Sequence, residues 1–292
     1  PLYEATLQLW VTGTTGNTCY KESNSSTHNV TVRGYLEGDF NSPDGEPYQR
    51  GQSVPFNFYV YDDCSNGVTE TNRELHLYTE GTEYHVDTGI TDHGNGTYTH
   101  GWDSSGKALG WYNSTFEVTK PYHTPANISK NESFHLGEPP QLQLENVDKS
   151  AGGWGEVWTF EVQCRDLEGD TDTVQLWKNS SVTQEWELVD QKNCTSGSWY
   201  LLTFEETFWC EDTTPAGEDT WWKFNTSDQW DFSDGTPVHD ITIERDDVSL
   251  GLSQGHNSEV NRYAGDQETL ELQIYDSDNQ TYIGEGYNTS LF

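Results

Sequence analysis

Pro55-Phe-Asn-Phe-Tyr-Val-Tyr-Asp-Asp63 is the stretch of sequence that decides the fold. Its side chains Phe56, Phe58 and Val60 recur at every second position, which is typical of a β-strand with one buried face. Gly51 precedes the strand and two aspartates end it, and both residue types favour turns. The stretch therefore predicts a half-buried antiparallel strand between two turns.

The same pattern recurs twice along the chain. Gly155 leads into W-T-F-E-V-Q-C-R-D at 158–166, and Gly265 leads into L-E-L-Q-I-Y-D-S-D at 270–278. The offsets of about 100 to 110 residues match the size of an immunoglobulin-like sandwich. We therefore expect an all-β chain of tandem immunoglobulin-like antiparallel β-sandwiches.

Short alternating segments predict the other strands, and no window has a convincing helical period. Each segment is expected to form one inward face. Their apolar positions are Leu7, Leu9 and Val11; Val30 and Val32; Leu75 and Leu77; Phe116 and Val118; Leu142 and Leu144; Val174 and Leu176; Trp186 and Leu188; Trp222 and Phe224; and Ile241 and Ile243.

Turn-forming and proline-containing segments divide the chain into modules. The segments 120–140 and 229–240 are interpreted as linkers. The predicted domains are an N-terminal strand segment with a first sandwich at 1–124, a second sandwich at 125–236, and a partial third at 237–292.

The composition is strongly acidic. Asp plus Glu number 49 against 14 Lys plus Arg, so the formal net charge is −35. This charge repels nucleic acid and anionic membranes, while 12 Trp, 16 Tyr and 11 Phe provide enough apolar area for folding. Adaptation to high salt and binding of divalent cations both explain the acidic surface, and both remain open.

N-glycosylation sequons are the strongest local signal. Eleven N-x-S/T sites occur where the 19 Asn and 57 Ser plus Thr predict about four by chance. The acceptor residues are Asn24, Asn29, Asn95, Asn113, Asn127, Asn131, Asn179, Asn193, Asn225, Asn279 and Asn288. Because glycans are bulky and must face solvent, these sites predict a secreted glycoprotein and mark its exposed faces.

The chain contains no run of 18 apolar residues, so no membrane-spanning segment is expected. It begins with Pro1 rather than Met and shows no signal peptide, which indicates a processed, trimmed or partial chain. An extracellular or cell-surface location is expected.

Three motifs resemble those of known extracellular modules. D-H-G-N-G-T-Y-T-H-G-W at 92–102 resembles a turn and strand of bacterial and archaeal immunoglobulin-like and filamin-like modules. D-L-E-G-D-T-D-T-V at 166–174 resembles a turn of cadherin-like and PKD-like modules, and W-W-K-F-N-T-S-D at 221–228 is similar to the penultimate strand of repeats in archaeal surface glycoproteins. The resemblance implies a fold and a location, not an activity.

The acidic turns are candidate Ca²⁺ sites. Asp166, Glu168, Asp170 and Asp172 alternate around Gly169, and hard carboxylate oxygens are the ligands that Ca²⁺ prefers. Asp276 and Asp278 occupy the matching place in the third repeat, and Asp62 and Asp63 in the first. The alternative is a solvated turn, because Asp and Gly favour turns without any metal.

Five cysteines without a C-x-x-C pair do not suggest a zinc site. In an antiparallel sandwich the end of the second strand lies near the start of the fifth, which predicts Cys164–Cys194 and leaves Cys210 unpaired or bonded elsewhere. The same logic predicts Cys19–Cys64.

No sequence signal indicates an enzyme. The chain lacks nucleophile-elbow, phosphate-loop and dinucleotide motifs, and no carboxylate pair stands out as a glycosidase pair. The nine His residues are scattered, and His93 and His100 lack ligand spacing. We therefore predict no catalytic residues and no cofactor beyond N-linked glycans and Ca²⁺.

The predicted function is a structural subunit of an extracellular filament or surface layer, with other copies of itself as partners. Residues 1–36 supply more strands than the first sandwich needs, and residues 237–292 supply too few for a third sandwich. This suggests head-to-tail complementation, in which the N-terminal strand of one copy completes the C-terminal half-domain of the next. The alternative is a chain that continues beyond Phe292. An adhesin or viral spike is the main rival, and a glycan-acting enzyme the second.

Overall fold

A computed structural model describes residues 4–86, 88–169, 171–179, 184–195, 197–213, 219–245, 247–261, 263, 265, 269, 271–277 and 280–284. These residues form β-strands and one short 3₁₀-helix at Cys210–Asp212. The chain divides into two compact units, Pro1–Glu138 and Pro139–Phe292. The all-β class predicted from the alternating pattern is confirmed.

The first unit begins with one long hairpin, in which two short pairs of strands follow one another. Strand β1 (Leu7–Trp10) pairs with β4 (His28–Thr31), and β2 (Gly13–Thr14) pairs with β3 (Ser23–Asn24). The sandwich strands are β5 (Gly34–Ser42), β6 (Glu46–Gln49), β7 (Ser53–Asp62), β8 (Asn72–Thr79), β9 (Thr82–Val86), β10 (Thr91–Asp92), β11 (Thr97–Asp103), β12 (Gly110–Thr119), β13 (His123–Thr124) and β14 (Ala126–Gly137). One sheet has the order β10-β11-β7-β5-β13 and the other β6-β14-β12-β8-β9.

The second unit holds a sandwich followed by a separate small sheet. Its sandwich strands are β15 (Gln141–Val147), β16 (Ala151–Gly153), β17 (Val157–Arg165), β18 (Asp172–Asn179), β19 (Trp186–Cys194), β20 (Tyr200–Thr207), β21 (Thr220–Ser227), β22 (Ser233–Gly235) and β23 (His239–Glu244). The sheets are β15-β17-β20 and β16-β23-β21-β18-β19, with β22 paired to β21. Strands β24 (Val248–Gln254), β25 (Glu271–Asp276) and β26 (Thr281–Tyr282) form a three-stranded sheet.

The two sandwiches share one topology. In each, three long strands (β5, β7 and β11, or β15, β17 and β20) form the core of one sheet. The other sheet is extended by β9 or β19, and a short early strand (β6 or β16) runs parallel to the last strand (β14 or β23). This order is that of an immunoglobulin-like domain with an added strand on its second sheet. The predicted repeat of β7 and β17 is confirmed, because both lie at the centre of equivalent sheets.

Aromatic side chains fill both cores. In β7, Val54, Phe56, Phe58 and Val60 are all buried, and the ring of Phe58 stacks on Phe116 of the opposite sheet with centroids 4.1 Å apart. In β17 the inward residues are Trp158, Phe160, Val162 and Cys164. Burying each Phe contributes about 1.5 to 3 kcal/mol, and offset ring pairs add to this.

The motif at 92–102 forms the turn between β10 and β11 and most of β11 itself. Asp92 accepts hydrogen bonds from the backbone N–H groups of Gly94 (2.9 Å) and Glu70 (2.9 Å). Burial would raise the pKa of Asp92, but these N–H groups lower it below its ordinary value. A Cβ on Gly67 would lie 2.1 Å from the carbonyl oxygen of Asn95, so the two turns approach as closely as only glycine allows. The motif is therefore structural.

The predicted linker at 120–140 is wrong. Its prolines flank a strand rather than interrupt one, because β14 spans Ala126–Gly137 and pairs with β12. The side chains of Ala126, Ile128, Phe134 and Leu136 complete the first core. The first module therefore ends near Glu138 and not at residue 124.

The predicted linker at 229–240 and the third module also need correction. Ile241 and Ile243 are buried in the core of the second sandwich, because β23 is its last strand. The second sandwich therefore extends beyond residue 236. The strand at Val248–Gln254 was missed, although V-S-L-G-L alternates, because its glycine and serines resemble a loop.

Several strands predicted to face inward carry exposed apolar side chains instead. Leu9 is 67% exposed, Leu144 67% and Leu188 44%. Leu9 lies on the N-terminal hairpin, which no second sheet covers in the described residues. Leu144 and Leu188 lie on edge strands that pack on the second core through Leu142 and Val189, but a register shift beside each of them leaves its side chain facing solvent.

One of the two predicted disulfides is confirmed. Cys164 is the next-to-last residue of β17 and Cys194 is the last residue of β19, and they are bonded with Cα atoms 6.3 Å apart. Cys210 is a free thiol, as expected. The prediction of Cys19–Cys64 is wrong, since both are free and exposed. Cys19 lies between β2 and β3, whose hairpin pairs only with itself in the described residues and does not bring the thiol to the turn at Cys64.

The disulfide should stabilise the second sandwich. The double variant C164A/C194A removes a link between residues 30 positions apart, so we expect the free energy of unfolding to fall by about 3 kcal/mol. Urea denaturation followed by tryptophan fluorescence measures this. The matched control is Cys210→Ala; if the double variant is as stable as this control, the link contributes nothing.

Candidate functional site

The acidic turn of the second sandwich lies at its disulfide end. Asp166 follows β17 and Asp172 begins β18, and both carboxylates are buried. Asp172 is in register with Cys194, whose bond to Cys164 holds the two ends of the turn close to the disulfide. Buried carboxylates require paired groups or a cation. Glu168 is half-buried, and Asp170 lies outside the described residues, so Ca²⁺ binding here stays a prediction.

The corresponding turns of the other repeats differ. Asp62 closes its turn by accepting the backbone N–H groups of Cys64 (2.9 Å) and Asn66 (2.8 Å). Burial would raise the pKa of Asp62, but the hydrogen bonds from Asn66 and Cys64 lower it. Asp276 is buried at the end of β25, and Asp278 lies outside the described residues. In the first repeat these hydrogen bonds are the usual chemistry of an Asp turn. Asp63 is exposed beside Asp62, and one ligand atom from each of Asp62, Asp63 and Cys64 lies within 4.8 Å of the others, so Ca²⁺ binding here also stays a prediction.

Most sequon asparagines face solvent. The acceptors Asn24, Asn29, Asn95, Asn113, Asn127, Asn131 and Asn193 are exposed, while Asn179 and Asn225 are half-buried. Asn279 and Asn288 lie outside the described residues. Asn225 faces outward between buried Phe224 and Thr226, but a Cβ on Gly235 of β22 would lie only 2.9 Å from its Oδ1. Strand β22 therefore restricts access to Asn225.

Sequence reasoning missed a histidine–carboxylate cluster on the first sandwich. Strands β8 and β9 are joined by Glu80 and Gly81, both with positive φ (43° and 80°), which makes a tight hairpin. The hairpin places His76 directly opposite His85. The sequence does contain a signal for this cluster: Glu74 and His76 alternate on β8, and His85 follows the two-residue turn on β9. In a hairpin of this register the three side chains lie on one face.

The equivalent face of the second sandwich is aromatic. Trp186 of β19 and Trp221 of β21 are both in register with Asn179 of β18, and Trp177 lies two residues before Asn179 on the same side of β18. Lys223 lies over the Trp186 ring at 4.6 Å. A sequon asparagine thus lies within this group of partly exposed tryptophans.

Two sets of strands carry apolar side chains that no second sheet covers in the described residues. In β24, Val248, Leu250 and Leu252 recur on one face and are 52%, 66% and 54% exposed. Leu250 and Leu252 are in register with Ile274 and Leu272 of β25, so the apolar stripe continues across the sheet.

The second set is the N-terminal hairpin. Leu7 and Leu9 lie on one face of β1, and Trp10 on the other, where it stacks on His28 with ring centroids 4.8 Å apart. Val30 of β4 is also half exposed. Strands β1 and β4 pair only with each other in the described part of the chain.

The part of the chain that the structure describes contains no helical segment with the length and hydropathy of a membrane span. No known family model matches the sequence, and no curated protein matches it.

Solved structures resemble the chain weakly. Native Escherichia coli alpha-2-macroglobulin shares 12% identity over 95% of this chain, with a TM-score of 0.26, and only 21% of that protein is covered. A DUF4785 family protein from Legionella pneumophila shares 12% identity over 78% of this chain and 60% of its own, with a TM-score of 0.34. The tandem Ig repeats of Dlar share 9% identity over 74% of this chain and 100% of their own, with a TM-score of 0.25. At this level they carry no information on function.

Glycan occupancy should follow exposure. We expect the seven exposed asparagines to be modified and Asn225 to be modified least, because β22 lies against its side chain. Glycopeptide mass spectrometry of the native protein measures site occupancy. An unmodified chain, or an Asn225 occupancy equal to that of Asn113, would contradict the expectation.

Proposed function

We propose that the chain is a self-assembling structural glycoprotein of the cell exterior, a subunit of a filament or surface layer. The observation that carries the proposal is the apolar stripe of β24 and β25, in which Leu250 is 66% exposed. A three-stranded sheet with one exposed apolar face is poorly stable in water, and it becomes more stable when another apolar surface packs on that face.

The N-terminal strand of another copy is the occupant that fits. Strand β1 is short, carries Leu7 and Leu9 on one face, and pairs only with β4 in the described residues. Strand β24 lies at the edge of its sheet and offers backbone groups for pairing. Joining the start of one chain to the end of the next is a head-to-tail contact, which propagates as a filament.

The charge of the chain sets the condition for assembly. Each copy carries a formal charge of −35, so copies repel one another at low ionic strength. At 1 M salt the screening length falls to about 3 Å, and repulsion no longer opposes contact. The proposal therefore includes a high-salt habitat.

Other features support an exterior location and a non-enzymatic role. The Cys164–Cys194 bond persists in oxidising compartments. Exposed sequon asparagines on both sandwiches suit a hydrated, glycosylated coat. In this proposal the sandwiches supply length and rigidity, and no step of catalysis is involved.

Strand complementation is tested by removing one partner at a time. Deletion of residues 1–12 should leave both sandwiches folded and abolish polymer in concentrated salt. Leu250→Asp should do the same, because it puts a charge into the apolar joint, whereas Ser249→Asp on the opposite face of β24 should still assemble. Electron microscopy and light scattering measure the polymer.

Circular dichroism confirms that each variant remains folded. Assembly that survives both the deletion and Leu250→Asp unchanged would overturn the complementation joint. A full-length chain that stays monomeric at every salt concentration would overturn self-assembly itself.

A binding module is the second candidate, and the exposed tryptophans of the second sandwich favour it. Trp186 and Trp221 flank Asn179 and offer flat surfaces on which sugar rings stack. If the chain is an adhesin, the unassembled protein should bind an added glycan, and the double variant W186A/W221A should no longer bind it. As an assembly subunit, it would bind no added glycan with or without these rings.

A further inference from the structure

The outer face of the first sandwich carries two imidazoles and two carboxylates in contact. Nε2 of His85 lies 3.1 Å from Oε2 of Glu74, and Nε2 of His76 lies 3.6 Å from the same oxygen. One ligand atom from each of the three residues falls within 4.8 Å of the others. In a tetrahedral zinc site, bonds of about 2.0–2.2 Å place ligand atoms about 3.3–3.6 Å apart, so small side-chain movements suffice.

Glu83 fixes the orientation of one imidazole. Its Oε1 lies 2.8 Å from Nδ1 of His76 and also accepts a hydrogen bond from the Tyr78 hydroxyl (3.2 Å). With Nδ1–H donated to Glu83, the lone pair of His76 is on Nε2, the arrangement that second-shell carboxylates impose on metal-binding histidines.

Nε2 of His76 is the atom that calls for a ligand. It is buried from solvent, and in the described part of the chain it makes no hydrogen bond, because the Glu74 carboxylate oxygen 3.6 Å away lies beyond hydrogen-bond distance. The ring itself is only 15% exposed, while His85 is 46% exposed and leaves a way in from solvent. A polar atom that is desolvated and unpaired costs free energy, which a bound cation would recover.

The surroundings select the class of ion. Two imidazoles and a carboxylate suit Zn²⁺ and similar divalent transition ions, whereas Ca²⁺ and Mg²⁺ prefer oxygen ligands alone. Glu83 and Glu117, the latter in register with Glu74 on β12, add negative charge to the same face. The two imidazole rings are stacked, with planes 17° apart and centroids 4.7 Å apart, so binding would tilt them towards a common point.

We propose that Glu74, His76 and His85 form a binding site for a Zn²⁺-class divalent transition-metal ion, with Glu83 as a positioning residue for His76. Three protein ligands leave a fourth position open for water or an external donor. The site lies on rigid strands of the first sandwich and is independent of the proposed assembly.

Calorimetric titration of the full chain with Zn²⁺ tests the site. The titration is carried out in concentrated NaCl with excess Ca²⁺. These ions screen and occupy the carboxylates of the acidic surface, which at low salt would bind Zn²⁺ non-specifically. We expect the site to bind one Zn²⁺ per chain, so that His76→Gln and His85→Gln bind one Zn²⁺ fewer than wild type and Glu83→Gln binds it about 10-fold more weakly. His93→Gln, another exposed histidine of the first unit, is the matched control and should bind normally.

Histidine ring resonances in nuclear magnetic resonance spectra provide a second readout. Zn²⁺ should shift the signals of His76 and His85 together and leave that of His93 in place. Equal Zn²⁺ binding by wild type and His85→Gln, or equal loss in His93→Gln, would overturn the proposal. Since His85 is nearly half exposed, its substitution does not endanger folding.

Discussion

Ring-to-ring packing between two sheets is the interaction on which the rest of the structure depends. In the first sandwich Phe58 and Phe116 stack across the sheets with centroids 4.1 Å apart, and in the second Phe160 and Trp222 meet edge to face at 5.1 Å. A chain with a formal charge of −35 is pushed towards expansion by its own repulsion. Large aromatic rings oppose this because each buries more apolar area than an aliphatic side chain.

Because the core uses the inward positions, chemistry is left to the outward ones. The equivalent outer faces of the two sandwiches have diverged: β8 and β9 present His76, His85 and their carboxylates, whereas β18 and β19 present tryptophans around Asn179. The same strand pair therefore supplies a rigid platform in both repeats while its exposed side chains vary. The strands β1 and β24 differ from both, because their apolar residues have no opposing sheet in the described residues.

The strand arrangement of an immunoglobulin-like sandwich predicted the Cys164–Cys194 bond. Alternation in the sequence predicted the all-β class and the repeat, since period-two patterning is a local signal. It failed where the outcome depends on the partner of a strand. Ile241 alternates in the same way whether it begins a new module or closes the previous sandwich. The His76–His85 pair was also missed, because residues nine positions apart become neighbours only when the hairpin register is known.

Hydrogen–deuterium exchange is the measurement that tests the central claim most directly, that the bare strands are covered by another copy. The account predicts that in assembled material the amides of 7–10 and 248–254 exchange more slowly than in the same chain dissociated at low salt. The strands of the two aromatic cores should exchange equally slowly in both states. Polymer in which 7–10 and 248–254 exchange as fast as in the dissociated chain would contradict the account.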